Sequence, residues 1–473
     1  KKVVMNWREK SNNLFSLGPK EILLVLFSIT LSPLSIFAQT PEWVYQHVHP
    51  SASNEWPSAI IADSSGNTYT TGVLSSDDTT GGHLSGIGII KLNTQGEKRW
   101  IYFNDTLARH AYGNDITTNL GKVYVAGYSQ TLSGDKDLIV LSIDTSGQVR
   151  WLYRDSFAYE ANAVRISLSN MVYAVGFTHI SSFDVFVIKL DTLGKEQWKY
   201  TYDGPAGSYD KATCLAIDRD ENIYVGGYST GIGTSTDFTV IKLDSAGNEK
   251  WVYRYDGPIS HMDEIEAMAV DTTGNIYVTG RSWGIENDIC VVKLKPAGQE
   301  EWVYRYNGPA NIDDAAYDLA VDDSGNVYVC GVAGSDSVSL FTVVKIDSTG
   351  NERWCYLSAG PSNKGGAANS ITLDGIGGIY VGGHFWNSSN LSQLAVVKLD
   401  SSGDTAWTYI HPHVPPSPFS DNVRGIVADD ARNVYIAGEI VVRRWDADIV
   451  VLKFAPQGGA EEVRDEKITR SKH

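Results

Sequence analysis

Residues 322–331 read DDSGNVYVCG and residues 341–354 read FTVVKIDSTGNERW, and most of the chain consists of variants of these two stretches. The first stretch carries a tyrosine followed three residues later by a glycine. The second carries a glycine followed four residues later by a tryptophan. Both pairs recur with a spacing of about 50 residues, which is typical of the blades of a β-propeller.

The repeat can be counted from these pairs. The tyrosine–glycine pair occurs at Tyr69/Gly72, Tyr124/Gly127, Tyr173/Gly176, Tyr224/Gly227, Tyr277/Gly280, Tyr328/Gly331, Tyr380/Gly383 and Tyr435/Gly438. The glycine–tryptophan pair occurs at Gly96/Trp100, Gly147/Trp151, Gly194/Trp198, Gly247/Trp251, Gly298/Trp302, Gly350/Trp354 and Gly403/Trp407. In the eighth unit Glu462 stands where the tryptophan is expected, whereas Trp43 precedes the first unit.

Each unit divides into four short strands separated by turn signals. In the fourth unit the strands are expected at residues 214–218, 222–227, 237–244 and 249–255. Asp-x-x-Gly-Asn separates the first two strands and Asp-x-x-Gly separates the last two. An aspartate followed by glycine three residues later indicates a tight turn, because the carboxylate accepts backbone amides and glycine adopts a positive φ. We therefore predict antiparallel four-stranded blades.

The second strand of each unit is apolar on both faces, as Ile276 and Val278 on either side of Tyr277 illustrate. Such strands fit sheets that pack face to face in a ring, with the recurring tryptophan between neighbouring blades. Residues 43–47 have the pattern of a fourth strand. We predict an all-β, eight-bladed β-propeller in which this N-terminal strand completes the last blade and removes an exposed edge.

Composition and charge limit the number of domains and the classes of partner that the chain can have. The chain has 473 residues, 42% of them hydrophobic, and the periodicity favours one domain over several. Its formal net charge of -17 argues against a nucleic-acid partner, which would require a basic surface. We expect a monomer.

The first 38 residues are typical of a secretory signal peptide. Five basic residues precede an apolar run at residues 22–37, and Ala38 offers a small-residue cleavage point. We expect a secreted or extracytoplasmic protein with no membrane insertion after cleavage; an uncleaved anchor is the alternative. Residues 39–459 then form the propeller, and residues 460–473 form a charged, disordered tail.

The four cysteines replace ordinary strand residues, so buried free thiols are the first interpretation. Cys330 and Cys355 lie in one unit and are the pair that could form a disulfide. None of the four cysteines has the CxxC or Cys/His spacing of a zinc site.

These repeats resemble the secreted bacterial β-propeller repeat family SBBP. That family shares the patterns Asp-x-x-Gly-Asn-x-Tyr-Val-x-Gly, Asp-x-Phe-x-Val-x-Lys-Leu-Asp and Gly-x-x-x-Trp, and residues 322–331 and 237–244 match the first two closely. The resemblance covers residue 43 to about residue 459 and implies a propeller with an extracytoplasmic location. It implies no catalytic residues. The family name suggests seven blades, whereas this chain counts eight.

A weaker similarity concerns residues 243–251, LDSAGNEKW, which look like the tryptophan-docking motif of eight-bladed quinoprotein dehydrogenases. That resemblance implies calcium on the propeller axis and often an adjacent pair of cysteines. The cysteines of this chain are not adjacent. An oxidoreductase or a polysaccharide-active enzyme is therefore the alternative to a binding protein.

Acidic residues recur where strands begin on one face of the expected propeller, and two interpretations remain open. Glu55, Asp210, Asp263, Asp314 and Asp421 precede first strands, and Asp137, Asp184, Asp237, Asp288 and Asp448 precede third strands. They either bind calcium through oxygen ligands or cap turn amides as a repeated structural device; their regular recurrence favours capping. We predict no cofactor, with calcium as the possible exception. Recurring lysines on the third strands are expected to form ion pairs within a blade or to be solvated.

Departures from the repeat indicate a binding surface. Trp56, Trp283, Trp386 and Trp445 fall in loops of the same face, and Trp56, Trp386 and Trp445 belong to blades that become neighbours when the ring closes. The other candidate ligand-binding residues are Glu55, His384, Arg444, His49, His411 and His413. Exposed aromatic rings beside polar groups suit a sugar or a protein partner. Packing over the blade is the alternative role for the tryptophans, and a metal cluster is a further alternative for the histidines.

The sequence therefore predicts a secreted, non-catalytic propeller that binds a polysaccharide or a cell-surface protein. An enzyme should bring polar residues together on the axis, whereas a carbohydrate-binding protein should display aromatic rings away from it.

Overall fold

The structure is a computed structural model that describes residues 39–48, 54–77, 83–104, 110–131, 133–179, 182–412, 421–443 and 446–456. These residues all fall in one compact unit that spans residues 37–473. They form strands and turns and contain no helix. Within them, accordingly, no helix has the length and apolarity needed to cross a bilayer.

Thirty-two strands follow one another along the described residues. They are β1 Trp43–His47, β2 Trp56–Ala62, β3 Thr68–Asp77, β4 His83–Leu92, β5 Lys98–Asn104, β6 His110–Asn119, β7 Lys122–Gln130, β8 Lys136–Asp144, β9 Val149–Asp155, β10 Ala158–Ile166, β11 Val172–Thr178, β12 Val185–Leu190, β13 Glu196–Tyr202, β14 Asp210–Ile217, β15 Ile223–Thr230, β16 Thr236–Leu243, β17 Glu249–Tyr255, β18 Asp263–Val270, β19 Ile276–Trp283, β20 Asn287–Leu294, β21 Glu300–Tyr306, β22 Ala315–Val321, β23 Val327–Gly334, β24 Ser339–Ile346, β25 Glu352–Ser358, β26 Gly366–Leu373, β27 Ile379–Trp386, β28 Ser392–Leu399, β29 Thr405–Ile410, β30 Asn422–Ala428, β31 Val434–Arg443 and β32 Asp446–Phe454.

These strands form antiparallel sheets in chain order. Six sheets have four strands, and one sheet of eight strands consists of β2–β5 and β6–β9 joined by a single parallel residue pair, Ser85 with His110. The last sheet has the order β1-β32-β31-β30, so the first strand of the chain lies beside the last. None of the sheets in the described residues closes on itself. The architecture is that of a multi-blade β-propeller.

The first hairpin of a unit is held by the aspartate that opens its turn. Asp271 Oδ1 accepts the amides of Thr273 and Asn275, each at 2.9 Å, and Asp271 Oδ2 accepts the hydroxyl of Tyr277 at 3.1 Å. The recurring aspartate and tyrosine are therefore one structural device, in which the buried hydroxyl finds its acceptor in the turn. The same bond joins Asp63 to Tyr69, Asp218 to Tyr224, Asp322 to Tyr328 and Asp429 to Tyr435.

The recurring tryptophans link neighbouring units. Trp251 Nε1 donates to the carbonyl of Pro296 at 3.3 Å, and its ring covers Gly298, which has a φ of +86°. A Cβ at that position would lie 2.7 Å from Cδ2 of the indole, so glycine satisfies both the turn and the close contact. Equivalent hydrogen bonds to the next unit are made by Trp43, Trp100, Trp151, Trp198, Trp302 and Trp354.

The recurring lysines act between units, in addition to forming ion pairs within a unit as the sequence predicted, for example between Lys293 and Glu301 at 3.2 Å. Lys242 Nζ donates to the carbonyl of Pro296 at 3.0 Å and lies 4.9 Å from the ring centroid of Tyr224. A lysine in this position satisfies a hairpin carbonyl of the next unit and covers an aromatic ring of its own. The same carbonyl contact is made by Lys91, Lys189, Lys293, Lys345 and Lys453.

The first strands of the units are longer than predicted, because each contains a β-bulge. In the fourth unit the strand begins at Asp210 rather than at residue 214, and the bulge residue Thr213 donates to the carbonyl of Ile265 on the next first strand at 2.6 Å. Bulge residues make the same contact from Asn114 to Ala161, from Asn162 to Ala212 and from Asn369 to Val423.

All four cysteines are free thiols. Cys290 and Cys330 are fully buried, and burial raises the pKa of Cys290 to about 12 and that of Cys355 to about 11. Such thiols behave as small apolar side chains rather than as nucleophiles.

Candidate functional site

The three predicted site tryptophans that the structure describes lie at strand ends and not in loops. Trp56 begins β2, Trp283 ends β19 and Trp386 ends β27. Trp56 is 37% exposed and Trp386 is 38% exposed. The sequence prediction placed them in loops because the bulged first strands and the long second strands extend further than the repeat pattern indicated. Trp445, Arg444, His49 and His413 lie outside the described residues.

Two of these tryptophans, Trp386 and Trp283, stack on histidines. Trp386 stacks on His384, with ring centroids 6.3 Å apart, and His384 Nδ1 lies 3.1 Å from Oδ1 of Asn422. Trp283 stacks on His261 at 4.3 Å. Among the described residues no ring contact joins Trp56 to Trp386 or to Trp283. Trp445, the other tryptophan of the predicted sector, lies outside the described residues, so the sector stays a prediction.

Glu55 and His47 come together, whereas His411 has a different partner. Glu55 is fully buried, its Oε1 accepts the amide of Ser75, and its Oε2 lies 3.6 Å from Nε2 of His47. Burial raises the pKa of Glu55 to about 8. His411 Nδ1 lies 3.0 Å from the hydroxyl of Tyr409, and burial lowers the pKa of His411. His411 thus packs within its sheet, and among the described residues it joins no metal-ligand cluster.

A cluster of aromatic rings that the sequence prediction missed lies between the third and fourth units. We call it the aromatic cluster, and its members are Tyr159, Phe177, His179, Phe183 and Tyr209. Phe183 and Tyr209 are stacked, with centroids 4.7 Å apart and planes at 28°. Tyr209 is 56% exposed. The cluster therefore presents a flat ring to solvent on a base of other rings.

The backbone holds this stack in place. Phe183 precedes β12 and Tyr209 precedes β14, and the two residues form an isolated parallel β-bridge. The amide of Asp210 donates to the carbonyl of Phe183 at 2.6 Å. A cavity of about 190 Å³ adjoins the cluster and is lined by Asp135, Lys136, Ser156, Phe157, Ala158, Tyr159 and His179. A larger cavity of about 330 Å³ lies among hairpin residues such as Asp271, Asp322 and Ser348.

Acidic residues gather beside the cluster. Carboxylate oxygens of Asp184, Asp203 and Asp210 all lie within 4.8 Å of one another, and those of Asp237, Asp256 and Asp263 do the same one unit later. Four of these residues, Asp184, Asp210, Asp237 and Asp263, are at positions that the sequence analysis singled out. Asp203 and Asp256 were missed because each lies in the connection between a fourth strand and the next first strand.

The capping interpretation holds for some of these acids. Asp263 accepts the amides of Gly257 at 2.8 Å and Trp283 at 3.0 Å. Asp314 likewise accepts the amides of Gly308 and Gly334. At these positions the carboxylates are structural, since each oxygen satisfies a backbone donor.

Polar residues also meet between the first strands. Arg165 Nη1 lies 2.6 Å from Asp115 Oδ2, which also accepts the amide of Val164 at 2.9 Å. Asp318 accepts the amide of Ile371 at 3.0 Å, and burial raises the pKa of Asp318 while Arg165 opposes the rise. The side chain of Arg165 is 44% exposed beside Asp115. These acids link neighbouring strands and carry no free catalytic geometry.

A family model for the β-propeller repeat SBBP matches residues 262–286. The chain carries an SBBP β-propeller repeat. The SBBP match covers β18 and β19 with their hairpin, which is the part of the unit that holds the Asp271–Tyr277 bond.

Solved structures with related shapes differ widely in sequence. A structure described as the eukaryotic initiation factor is 11% identical, with a TM-score of 0.43, over 84% of this chain and 88% of its own. The polysaccharide lyase Uly1 is 11% identical, with a TM-score of 0.44, over 76% of this chain and 93% of its own. No curated protein matches the sequence.

Proposed function

We propose that this chain is a secreted, non-catalytic, eight-bladed β-propeller that binds an extracellular polysaccharide at the aromatic cluster. The observation that carries the proposal is the stack of Phe183 and Tyr209, in which a half-exposed ring lies flat on a second ring. A sugar ring has apolar C–H faces that stack on such a platform, and its hydroxyls need polar partners nearby. Lys136 and Asp135 line the adjoining cavity and supply them.

The eight-bladed ring is supported by contacts between the first and last units. Trp43 Nε1 donates to the carbonyl of Thr94, as the other recurring tryptophans do to their following units. The amide of Glu55 donates to the carbonyl of Ala447 at 2.9 Å, which repeats the contact of Asp210 with Phe183. Ile60 of the first unit shares a buried cluster with Val451 of the last. These contacts make the junction between the last and first units resemble the internal ones.

A binding role is favoured over catalysis by the use of the buried acids. Asp115 and Asp318 bond to backbone amides of the neighbouring first strands, and Asp263 and Asp314 bond to loop amides. Acids that recur in this way and accept backbone amides have a structural role in each unit. The signal-like residues 1–38 and the net charge of -17 favour an extracytoplasmic, soluble monomer.

The proposal is tested by measuring the melting temperature of the purified protein with a panel of soluble polysaccharides. A ligand that binds only the folded state raises this temperature, and we expect at least one polysaccharide to do so. In Tyr209→Ala the shift should disappear while the melting temperature without ligand stays within about 2 °C of wild type, since the ring is half exposed.

Trp386→Ala is the matched control, because Trp386 is also a partly exposed ring of a candidate surface. The shift should persist in this variant. A shift lost in Trp386→Ala and retained in Tyr209→Ala would place the ligand at the surface predicted from sequence. No shift with any polysaccharide would refute carbohydrate binding and favour a cell-surface protein as the partner.

A further inference from the structure

The first strands of the third to sixth units lie side by side, and their bulge residues mark a change in the repeat. β10 contacts β14, β14 contacts β18 and β18 contacts β22. In the fourth unit the bulge residue Thr213 ties its strand to the next one, because its hydroxyl donates to the carbonyl of Ile265 at 2.6 Å. The bulge residues of the fifth and sixth units are Glu266 and Tyr317.

Glu266 and Tyr317 do not make this tie. An ionised carboxylate has no hydrogen to donate, so Glu266 cannot bond to a carbonyl of the next strand. In the part of the chain that the structure describes, neither the carboxylate of Glu266 nor the hydroxyl of Tyr317 forms a hydrogen bond or an ion pair. Glu266 is exposed and Tyr317 is 41% exposed. Two neighbouring units therefore present polar groups that the repeat elsewhere uses to hold strands together.

Two further side chains connect this pair to the aromatic cluster. Lys211 lies in β14, and its Nζ is 4.4 Å from the ring centroid of Phe177, a member of the aromatic cluster. Lys211 is opposite Tyr228 of β15 in the sheet register. Within the described ranges, neither Nζ of Lys211 nor the hydroxyl of Tyr228 forms a hydrogen bond or an ion pair. We call Lys211, Tyr228, Glu266 and Tyr317 the rim group.

The cross-strand pair of the rim group has equivalents in other units whose members satisfy each other. In the second unit the equivalent residues are Tyr112 and Tyr128, whose rings stack with centroids 4.8 Å apart. In the fifth unit they are Glu264 and Arg281, and Nε of Arg281 donates to Glu264 at 2.9 Å. The fourth-unit pair makes neither kind of contact, so its polar groups remain available to a ligand.

Electrostatic effects show that the members of the rim group lie near one another. Glu266 is exposed to solvent, yet the protein around it excludes enough water to raise its pKa, and Arg281 and Lys211 oppose the rise. Burial raises the pKa of Tyr228 to about 12 and also raises that of Tyr317, and the charge of Glu266 adds to both rises. One chain of sugars can therefore contact the carboxylate and both phenols.

We infer that the rim group extends the polysaccharide site and that the polysaccharide is uncharged, an inference that rests on the proposed function. A chain that stacks on Tyr209 continues past Phe177 and bonds to the rim group through its hydroxyls. Lys211 and Glu266 carry opposite charges, and neither is neutralised by an ion pair in the described residues. Glu266 would repel an acidic chain and Lys211 a basic one, whereas a hydroxyl accepts from the amine and donates to the carboxylate.

The test is calorimetric titration of the purified protein with polysaccharides of different charge. Laminarin, dextran and xyloglucan are the uncharged probes, alginate is the acidic one and glycol chitosan is the basic one. We expect at least one uncharged polysaccharide to bind and the two charged ones not to bind. Oligosaccharides of the polysaccharide that binds should bind more tightly as they lengthen, because only the longer ones reach from Tyr209 to the rim group.

Two conservative variants test the rim group itself. Glu266→Gln keeps the size of the side chain and removes its charge, and it should weaken binding of a long oligosaccharide at least about tenfold. Tyr317→Phe removes one hydroxyl and should weaken binding about fivefold. Both side chains are exposed, so the melting temperature without sugar should stay within about 2 °C of wild type.

Tyr112→Phe is the matched control, because it removes the same atom from a ring that stacks on Tyr128. It should leave the affinity unchanged. Equal weakening in Tyr112→Phe and Tyr317→Phe would overturn the inference, since the effect would not belong to the rim group.

The remaining outcomes separate this inference from the proposed function. Binding that is lost in Tyr209→Ala but unchanged in Glu266→Gln and Tyr317→Phe would overturn the inference and leave the proposed function standing. Binding of alginate or glycol chitosan alone would overturn the assignment of an uncharged polysaccharide. If none of the five polysaccharides binds, the proposed function fails and this inference fails with it.

Discussion

The carboxylate of Glu55 lies 3.6 Å from Nε2 of His47, and this contact joins the residue that precedes β2 to the end of β1 in the sheet of the last unit. The two residues occupy a junction where a buried acid faces Asp446 and Asp448 as well as the histidine. The protonation of Glu55 therefore affects how firmly the first and last units are held together.

The stability of the protein should fall as the pH rises from 4.5 to 8. The pKa of Glu55 is raised from 4.5 to about 8, first by burial, so the folded protein keeps a proton that the unfolded chain releases. The contribution is complete below pH 4.5 and is lost as the pH rises through 8, by on the order of 5 kcal/mol. In Glu55→Gln the part of this fall that Glu55 contributes should be absent in melting curves recorded from pH 5 to pH 9, whereas other buried acids with raised pKa values, such as Asp318 and Glu439, should still contribute. An unchanged pH dependence in that variant, with Glu97→Gln as an exposed control, would show that Glu55 is not the group responsible.

Deletion of residues 39–48 should destabilise the whole protein. The deletion removes β1, exposes the edge of β32 and takes away the indole of Trp43 that covers Gly96. Loss of this packing should cost at least about 4 kcal/mol, which is the cost of truncating one buried large aromatic residue. Calorimetry measures the effect, and deletion of residues 460–473 is the control expected to change nothing. Equal melting temperatures for both deletions would contradict the role of β1.

Removal of the hydroxyl from two tyrosines at equivalent positions should change the free energy of unfolding by different amounts. Tyr277 donates to Asp271, whereas the buried hydroxyl of Tyr173 has no hydrogen-bond partner because Ser167 replaces the aspartate. Tyr277→Phe should cost about 1–2 kcal/mol, and Tyr173→Phe should be neutral or slightly stabilising. Urea unfolding compares the two directly, with the same atom removed in each. A larger loss in Tyr173→Phe would overturn this account of the hairpin.

All four thiols should be unreactive in the folded protein and reactive after denaturation. Burial raises the pKa values of Cys214 and Cys290 to about 12, which removes the thiolate that attacks disulfide reagents. Counting thiols with a chromogenic disulfide before and after addition of guanidinium tests this expectation. Two reactive groups after denaturation, instead of four, would reveal a disulfide between Cys330 and Cys355.

Much of the fold could be predicted because its determinants are local and repeated. The turn aspartate, the tyrosine and the tryptophan recur at fixed spacing, and each makes the same contact in unit after unit, as Asp271, Tyr277 and Trp251 do. The β-bulges could not be predicted, because the extra residue, such as Thr213, has no characteristic residue type. The inter-unit role of Lys242 was also missed, since its partner Pro296 lies in the following unit.

The candidate site was harder to predict for a geometric reason. Phe183 and Tyr209 lie in different connections and meet only through the bridge between two units. The sequence nevertheless contained a signal for this site, because aromatic residues replace other residue types at two positions of the repeat. The fourth and fifth units have Thr236 and Asn287 at the position of Phe183, and the fifth unit has Met262 at the position of Tyr209. The prediction followed departures to tryptophan and histidine and so selected Trp56, Trp386 and His411 rather than Phe183 and Tyr209.

The pairing of β1 with β32 has a consequence for how the molecule is made. The sheet that contains both strands cannot form until almost the entire polypeptide has left the ribosome, since its first and last strands are about 400 residues apart in sequence. In a product truncated before β32, β1 therefore has no strand to pair with. The same adjacency suits the chain to circular permutation: a linker from the end of β32 to the start of β1, with new termini between β1 and β2, would place every sheet on one uninterrupted stretch of sequence.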